Sequence, residues 1–212
     1  TPENTLNVRE NGRIIASLQM IPCKMQLGRQ QFAAHYIYAA STLPEKQGRG
    51  LMARLLEQAA DEGCKRGQDF SVLITQEDSL LDYYARFGYE PRFLLGMGEP
   101  GENARKGVLR TACETDIPAL NQLYEQATVE LLHGDRDEQH WVRQLELFGK
   151  GAQVLERDGY ITAYAFADER GILEVVGPDA SALAACIQPG KPWRTVPDKH
   201  ARPMGSIKPL NE

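Results

Sequence analysis

Gln47-Gly48-Arg49-Gly50-Leu51-Met52 lies where an apolar run ends and an amphipathic one begins, so the fold must place a strand, a glycine loop and a helix in succession. Upstream, Tyr36 to Leu43 reads as a strand closed by Pro44, which a central strand cannot pass through. Downstream, Leu51, Met52, Leu55, Leu56, Ala59 and Ala60 recur at helical spacing, with Arg54, Glu57, Gln58, Asp61 and Glu62 on the opposite face. Glycines let a backbone approach a ligand, and the first amides of a helix point outward at the positive end of its dipole. A phosphate suits that junction, and a plain tight turn is the alternative. No Lys-Ser or Lys-Thr follows the glycines, which argues against a P-loop. Ala53 holds the place of a third small residue, but no acidic ribose partner follows the next strand, which argues against a dinucleotide fingerprint.

The 212 residues suit one or two domains with a real core. A net charge of −5 argues against a broad nucleic-acid face, although Lys46 and Arg49 form a local cluster able to hold an anion. No apolar run approaches a membrane span and no signal peptide precedes the first strand, so a cytoplasmic protein with no membrane partner is expected. Cys23, Cys64, Cys113 and Cys186 are widely separated and read as buried free thiols, and no Cys or His spacing suits a metal.

Asn4–Glu10 and Arg13–Met20 flank Glu10-Asn11-Gly12, a strong hairpin signal. The strand after the turn continues to Met25 through Pro22, which implies a bulge or an edge. After the long helix, Gly67 is a stop, and Phe70–Thr75 reads as a buried strand parallel to the one before the helix. Asp78 or Ser79 can cap a short helix carrying Leu80, Leu81, Tyr83, Tyr84 and Phe87, ended by Gly88, and Tyr89–Leu95 returns as a strand. The glycine-rich stretch Gly96–Gly107 reads as a linker, so domains are expected at 1–98 and 108–212, joined by 99–107. The second half reads as a strand at 107–110, a helix capped by Thr115 or Asp116, and a helix at 138–148. Strands at 152–156, 159–167 and 171–176, a helix at 180–187 and an edge strand at 204–210 follow.

Leu43-Pro44-Glu45-Lys46-Gln47-Gly48-Arg49-Gly50-Leu51-Met52, followed by Tyr83-Tyr84-Ala85-Arg86-Phe87-Gly88-Tyr89, resembles the GNAT superfamily of acyl-CoA-dependent N-acyltransferases. The glycine-containing run is similar to that family's Gln/Arg-x-x-Gly-x-Gly/Ala pyrophosphate loop. The aromatic run resembles its tyrosine-bearing helix. The resemblance covers residues 4 to 95 and implies an α+β fold, with a mixed, mainly antiparallel sheet flanked by helices. The Gly-Leu-Met form of the loop is similar to the enhanced-intracellular-survival subgroup of tandem acetyltransferases. The second half then reads as a degenerate GNAT-like unit, and this chain is too short for the subgroup's sterol-carrier-like domain.

The resemblance implies that Ala40, Ser41 and Thr42 pair with the pantetheine arm of acetyl-CoA. It implies that Gln47, Gly48, Arg49, Gly50, Leu51, Met52 and Ala53 wrap the pyrophosphate, and that Tyr84 protonates the departing thiolate. On spacing alone, Tyr84 reads as a core aromatic and Arg49 equally well as a solvated loop cation. Met52 stands where the family usually has glycine or alanine, which implies a wider loop. Before the hairpin the family places a strand and two helices where this chain has only Thr1-Pro2-Glu3. In the second half, Gly177-Pro178-Asp179 stands at the corresponding junction without a Gly-x-Gly loop, and Asp179 is expected to repel phosphate.

The expected activity is transfer of an acetyl group from acetyl-CoA to a primary amine, with no metal. Glu45, Glu77 and Asp82 are open choices for the base. The alternatives are a noncatalytic acyl-CoA-binding or protein-interaction module and a domain whose loop binds nothing. The acceptor, small molecule or peptide, and any homo-oligomer stay open.

Overall fold

The computed structural model describes residues 2–75, 77, 79–98, 107–195 and 201–210. In chain order the first elements are β1 (Thr5–Glu10), β2 (Arg13–Leu27), β3 (Gln30–Thr42), α1 (Leu51–Lys65), β4 (Phe70–Ile74), α2 (Ser79–Ala85) and β5 (Glu90–Gly98). β6 (Val108–Thr111), α3 (Ile117–Thr128), β7 (His133–Gly134), α4 (Glu138–Phe148), β8 (Ala152–Arg157) and β9 (Tyr160–Asp168) follow. The chain closes with β10 (Gly171–Val176), α5 (Ala180–Ile187), β11 (Trp193–Thr195) and β12 (Arg202–Pro209). Asp78, His200 and most of the expected linker lie outside the described residues, and Gly96–Gly98, assigned to that linker from sequence, extend β5. Among the described residues no helix is long and apolar enough to cross a membrane.

The chain divides into two compact units. The first holds residues 1–93 together with 132–135 and 203–212. Its sheet runs β1-β2-β3-β4-β12, antiparallel throughout except for the expected parallel pair β3–β4, and β7 adds to the far end of β2. Asn11 (φ 50°) and Gly12 (φ 79°) supply the two positive-φ residues of a tight hairpin turn. Pro22 sits where β2 has passed the last β1 pair, Thr5 with Gln19, and not yet met β7 at Met25. That stretch is a local edge, which tolerates the missing N–H.

β12 corrects the expected edge strand. It pairs with β4 from Phe70 to Ile74 and lies between β4 and β5, with Ser206 and Ile207 buried.

α1 and α2 pack on one face of this sheet, where Leu18, Met20, Leu55, Leu56 and Ala59 are at most 1% exposed. The apolar stripe of α1 explains why it settles there. Met25, Ala34, Val72 and Ile207 form a smaller core on the other face, with Leu132 against it. His35, within β3, is fully buried and its Nδ1 lies 2.7 Å from Gln68 Oε1. Burial holds its pKa below the usual value, so the folded state keeps it neutral. The unfolded chain therefore takes up a proton first, near pH 6.5, and stability falls as the pH drops through the lowered folded value. His140, also lowered by burial, acts in the same direction. Urea midpoints between pH 7.5 and 5 should fall for the wild type and fall less for His35→Leu, which has no ring proton to gain.

The second unit holds residues 94–131 and 136–202. Its sheet runs β11-β10-β9-β8-β6, and Gly96–Gly98 of β5 pair with β11. α3 and α4 cover one face around Trp141, and α5 covers the other around Leu183. In the Trp141 core the Arg136 guanidinium makes two 2.7 Å bonds to Glu174, whose Oε1 also accepts from the Tyr164 hydroxyl at 2.7 Å. Arg136 lies 3.9 Å from the Tyr124 ring centroid, so the buried charge is paired and stacked. Asp116 holds the expected cap position but makes no cap bond with α3; it accepts from Cys113 N and pairs with Arg110.

The cysteines depart from expectation. Cys64, Cys113 and Cys186 are exposed, and only Cys23 is half-buried, with desolvation lifting its thiol to about 11. Cys64 lies on the solvent side of α1, where its thiol donates to Leu210 O at 3.0 Å.

Candidate active site

β3 is hydrogen-bonded to β4 only as far as Tyr36 opposite Val72. Beyond that pair β3 runs on for six residues without β4, and among the described residues the side of residues 37–42 turned toward β4 is left without a strand partner. A bulge marks the divergence: Ala39 and Ala40 together oppose Leu18, between the pairs Gln19 with Tyr38 and Ser17 with Ser41. Ala39 has φ +49°, a left-handed conformation costing an L-residue about 1–3 kcal/mol, which places strain at the mouth of this opening. Bulges re-aim the backbone, and this one turns the peptide groups of Ala40, Ser41 and Thr42 out of register with the preceding ladder. Alanine carries no signal for positive φ, so nothing in the sequence marks Ala39.

The glycine loop follows directly. A short 3-10 turn, Pro44–Lys46, leads into Gln47, whose side-chain amide donates to Thr42 O at 3.4 Å and ties the loop to the end of β3. Gly48 (φ 73°) and Gly50 (φ 70°) are both left-handed with open space where a Cβ would stand, so backbone conformation rather than crowding selects glycine. Gly50 is the N-cap of α1, and the first helical bond is Arg54 N to Gly50 O at 3.2 Å. The amides of Leu51, Met52 and Ala53 therefore have no intrahelical acceptor and face the loop.

Leu51 is buried in the core and Met52 packs against it, so the Met52 side chain lies in the apolar layer beneath the loop. Arg49 is half-exposed and lies 3.4 Å from Glu10.

Tyr84, on α2, packs against the same core. Its ring sits edge-on to Tyr83 at 5.2 Å and to Tyr89 at 6.0 Å. Among the described residues its hydroxyl has no hydrogen-bond partner. Burial first, then the neighbouring Tyr83 and Tyr36, push its pKa above the ordinary tyrosine value, so the hydroxyl keeps its proton at neutral pH. Tyr36, half-buried at the point where β3 and β4 part, lies 6.1 Å from the exposed ring of Tyr38. From sequence both belong to a strand and carry no role. Their periodicity shows the face, but only the divergence of β4 shows that they border an opening. The carboxylates of Glu45, Glu77 and Asp82 are on exposed residues.

The strand–helix junction of the second unit differs. Gly177 (φ 125°) is needed because a Cβ would meet the Thr162 carbonyl and Ala163, so this glycine serves packing. Asp179 pairs with Arg157 at 3.1 Å, placing a carboxylate at the start of α5.

This arrangement can hold an extended chain along the free edge of β3 and a phosphate at the start of α1, with a protonated phenol near the divergence. Comparison agrees with it. Residues 1–92 match the family model described as Acetyltransferase (GNAT) domain, while no curated protein matches the sequence significantly. Among solved structures the chain superposes on a GCN5-related N-acetyltransferase from Kribbella flavida with TM-score 0.71 at 16% identity, covering 99% of this chain and 61% of that one. It also superposes on Eis1 from Mycobacterium abscessus, with TM-score 0.64 at 13% identity, covering 98% and 64%. A GCN5-related N-acetyltransferase from Anabaena variabilis gives TM-score 0.68 at 16% identity, covering 100% and 64%. The chain thus spans less than two thirds of the length of these proteins, and at such identity they speak to fold. Residues 1–92, which hold the splayed strands and the glycine loop, are thus similar in sequence to the acetyltransferase (GNAT) domain, and the whole chain is similar in fold to GCN5-related N-acetyltransferases.

Proposed function

We propose that the first unit transfers an acetyl group from acetyl-CoA to a primary amine by direct attack, with Tyr84 as the acid. The observation that carries this reading is the parting of β3 from β4 after Tyr36 and Val72, next to a glycine loop that ends at the N-cap of α1, where the first helical amides lack an intrahelical acceptor. Ala40, Ser41 and Thr42 pair with the pantetheine amides. Gln47, Gly48, Arg49, Gly50, Leu51, Met52 and Ala53 enclose the pyrophosphate, mainly through backbone N–H groups. The neutral amine attacks the thioester carbonyl, the C–N bond forms, and the carbonyl electrons move to oxygen, where a backbone N–H at the β3 bulge meets the charge. Collapse of this intermediate breaks the C–S bond, and the thiolate takes the Tyr84 proton. The amine's proton passes to solvent, either through one of Glu45, Glu77 and Asp82 or along a water relay.

We read the second unit, from residue 108, as a degenerate GNAT-like domain of a tandem protein similar to the enhanced-intracellular-survival subgroup. β10, α5 and β11 repeat the strand, helix and parallel strand of β3, α1 and β4, which supports that reading. The carboxylate at Asp179, at the start of α5, supports a reading in which CoA binds the first unit and not the second.

Thiol release from acetyl-CoA across polyamines, aminoglycosides, amino acids and peptide amines tests the activity. Acceptor-dependent release is expected, and hydrolysis indifferent to acceptor would overturn it. Gly50→Ala tests the loop. An L-residue at φ +70° costs about 1–2 kcal/mol with no clash to add to it. Calorimetry should show the Kd for CoA rising about tenfold as the loop relaxes away from that conformation.

A further inference from the structure

Glu10 is the last residue of β1, and the tight turn at Asn11 and Gly12 fixes its carboxylate beside the β3–α1 connection. Both of its oxygens are in use: Oε2 accepts from Lys46 Nζ, and Oε1 lies 3.4 Å from Arg49 NH1. The two cations reach it from 36 and 39 residues away, so the contact is made by the fold and not by local chain geometry. These are the charges that the sequence places at the anion loop, and the structure puts an anion of the protein's own against them.

The two contacts are unequal. Lys46 has a side chain 24% exposed and a close hydrogen bond, whereas Arg49 is 52% exposed at the limit of hydrogen-bond distance. We infer that Glu10 is a built-in counter-anion of the phosphate loop: it holds Lys46 throughout and releases Arg49 to the CoA pyrophosphate when the cofactor binds. The inference rests on the reading of residues 47–53 as the CoA site.

Two effects follow from one carboxylate. In the free protein, Glu10 prevents an uncompensated pair of cations at the loop from collecting arbitrary anions. In binding, it opposes CoA, because the contact with Arg49 must be given up and the carboxylate stays near the incoming phosphates. Lys46 remains on Glu10 and keeps the carboxylate compensated, so the exchange leaves no bare charge behind.

Glu10→Gln keeps the shape and removes the charge. Isothermal calorimetry with CoA should give a Kd about two- to fivefold lower than wild type, the scale set by an exposed ion pair. In an Arg49→Gln background the same change should have less than half that effect in logarithmic terms, because the contact it relieves is gone. Glu57→Gln, an exposed carboxylate on the outer face of α1, controls for net charge and should leave the Kd unchanged. Thermal melting of each variant establishes that it is folded. Equal or weaker CoA binding by a folded Glu10→Gln protein would overturn the inference and leave the CoA site standing. An equal gain in both backgrounds, or in Glu57→Gln, would also overturn it by showing a diffuse charge effect. Absence of CoA binding by the wild type would overturn the site and the inference together.

Discussion

Tyr84→Phe is expected to lower the turnover of acetyl transfer by a hundredfold or more while leaving the Kd for CoA within about twofold, the range set by loss of a positioned general acid. The change removes a single atom. Phenylalanine keeps the edge-on contacts with Tyr83 and Tyr89, and no hydrogen bond within the described protein is lost. Melting temperature should therefore hold to within a few degrees, which separates a chemical role from a structural one. The wild-type pH–rate profile should stay active up to a pH above the ordinary tyrosine value near 10, since burial and the neighbouring tyrosines raise the Tyr84 pKa. An unchanged turnover in a folded Phe variant would remove Tyr84 from the mechanism.

Deleting residues 201–212 should abolish CoA binding by unfolding the first unit, although these residues lie more than a hundred positions from the loop. β12 supplies five ladder pairs to β4, from Phe70 with Pro209 to Ile74 with Gly205, and buries Ile207 against Ala34, Val72 and Met25. Each ladder hydrogen bond is worth about 0.5–1.5 kcal/mol net and the isoleucine about 1.5–3 kcal/mol, a total comparable with the net stability of a small domain. Without β12, β4 also presents a bare edge next to the opening that the site requires. Gly205→Val is the gentler form of the same test. A Cβ there would stand 2.5 Å from the Leu73 carbonyl, so β12 must shift from β4. Circular dichroism and CoA calorimetry should show loss of cooperative unfolding and of binding for the deletion, and a lowered melting temperature for Gly205→Val. A deletion variant that still binds CoA would show that the β3–β4 opening stands without β12.

Local chemistry is legible wherever it repeats at short range. The hairpin at Asn11-Gly12, the α1 stripe and its stop at Gly67, and α4 from Glu138 to Phe148 all follow from turn residues, caps and periodicity that act within a few positions. What sequence misses depends on partners far along the chain. His35 reads as a lone histidine until Gln68 is brought to its ring, and Arg136 as a surface charge until Glu174, 38 residues on, closes a pair beneath Trp141. β7 and β11, two and three residues long, are too short to show any period and exist because a longer strand lies beside them.

The glycine loop was determined by sequence alone: two residues able to hold positive φ, an arginine between them, and an amphipathic helix after them specify an outward row of amides whatever surrounds them. Sequence could not show that β4 leaves β3 after Tyr36, that Ala39 bends the open edge, or that Glu10 lies against Lys46 and Arg49. It also could not show that the last strand of the chain completes the sheet beneath the site. Those are long-range pairings, in which a residue's role is set by what the fold brings to it, and such pairings leave no periodic trace in either partner's neighbourhood.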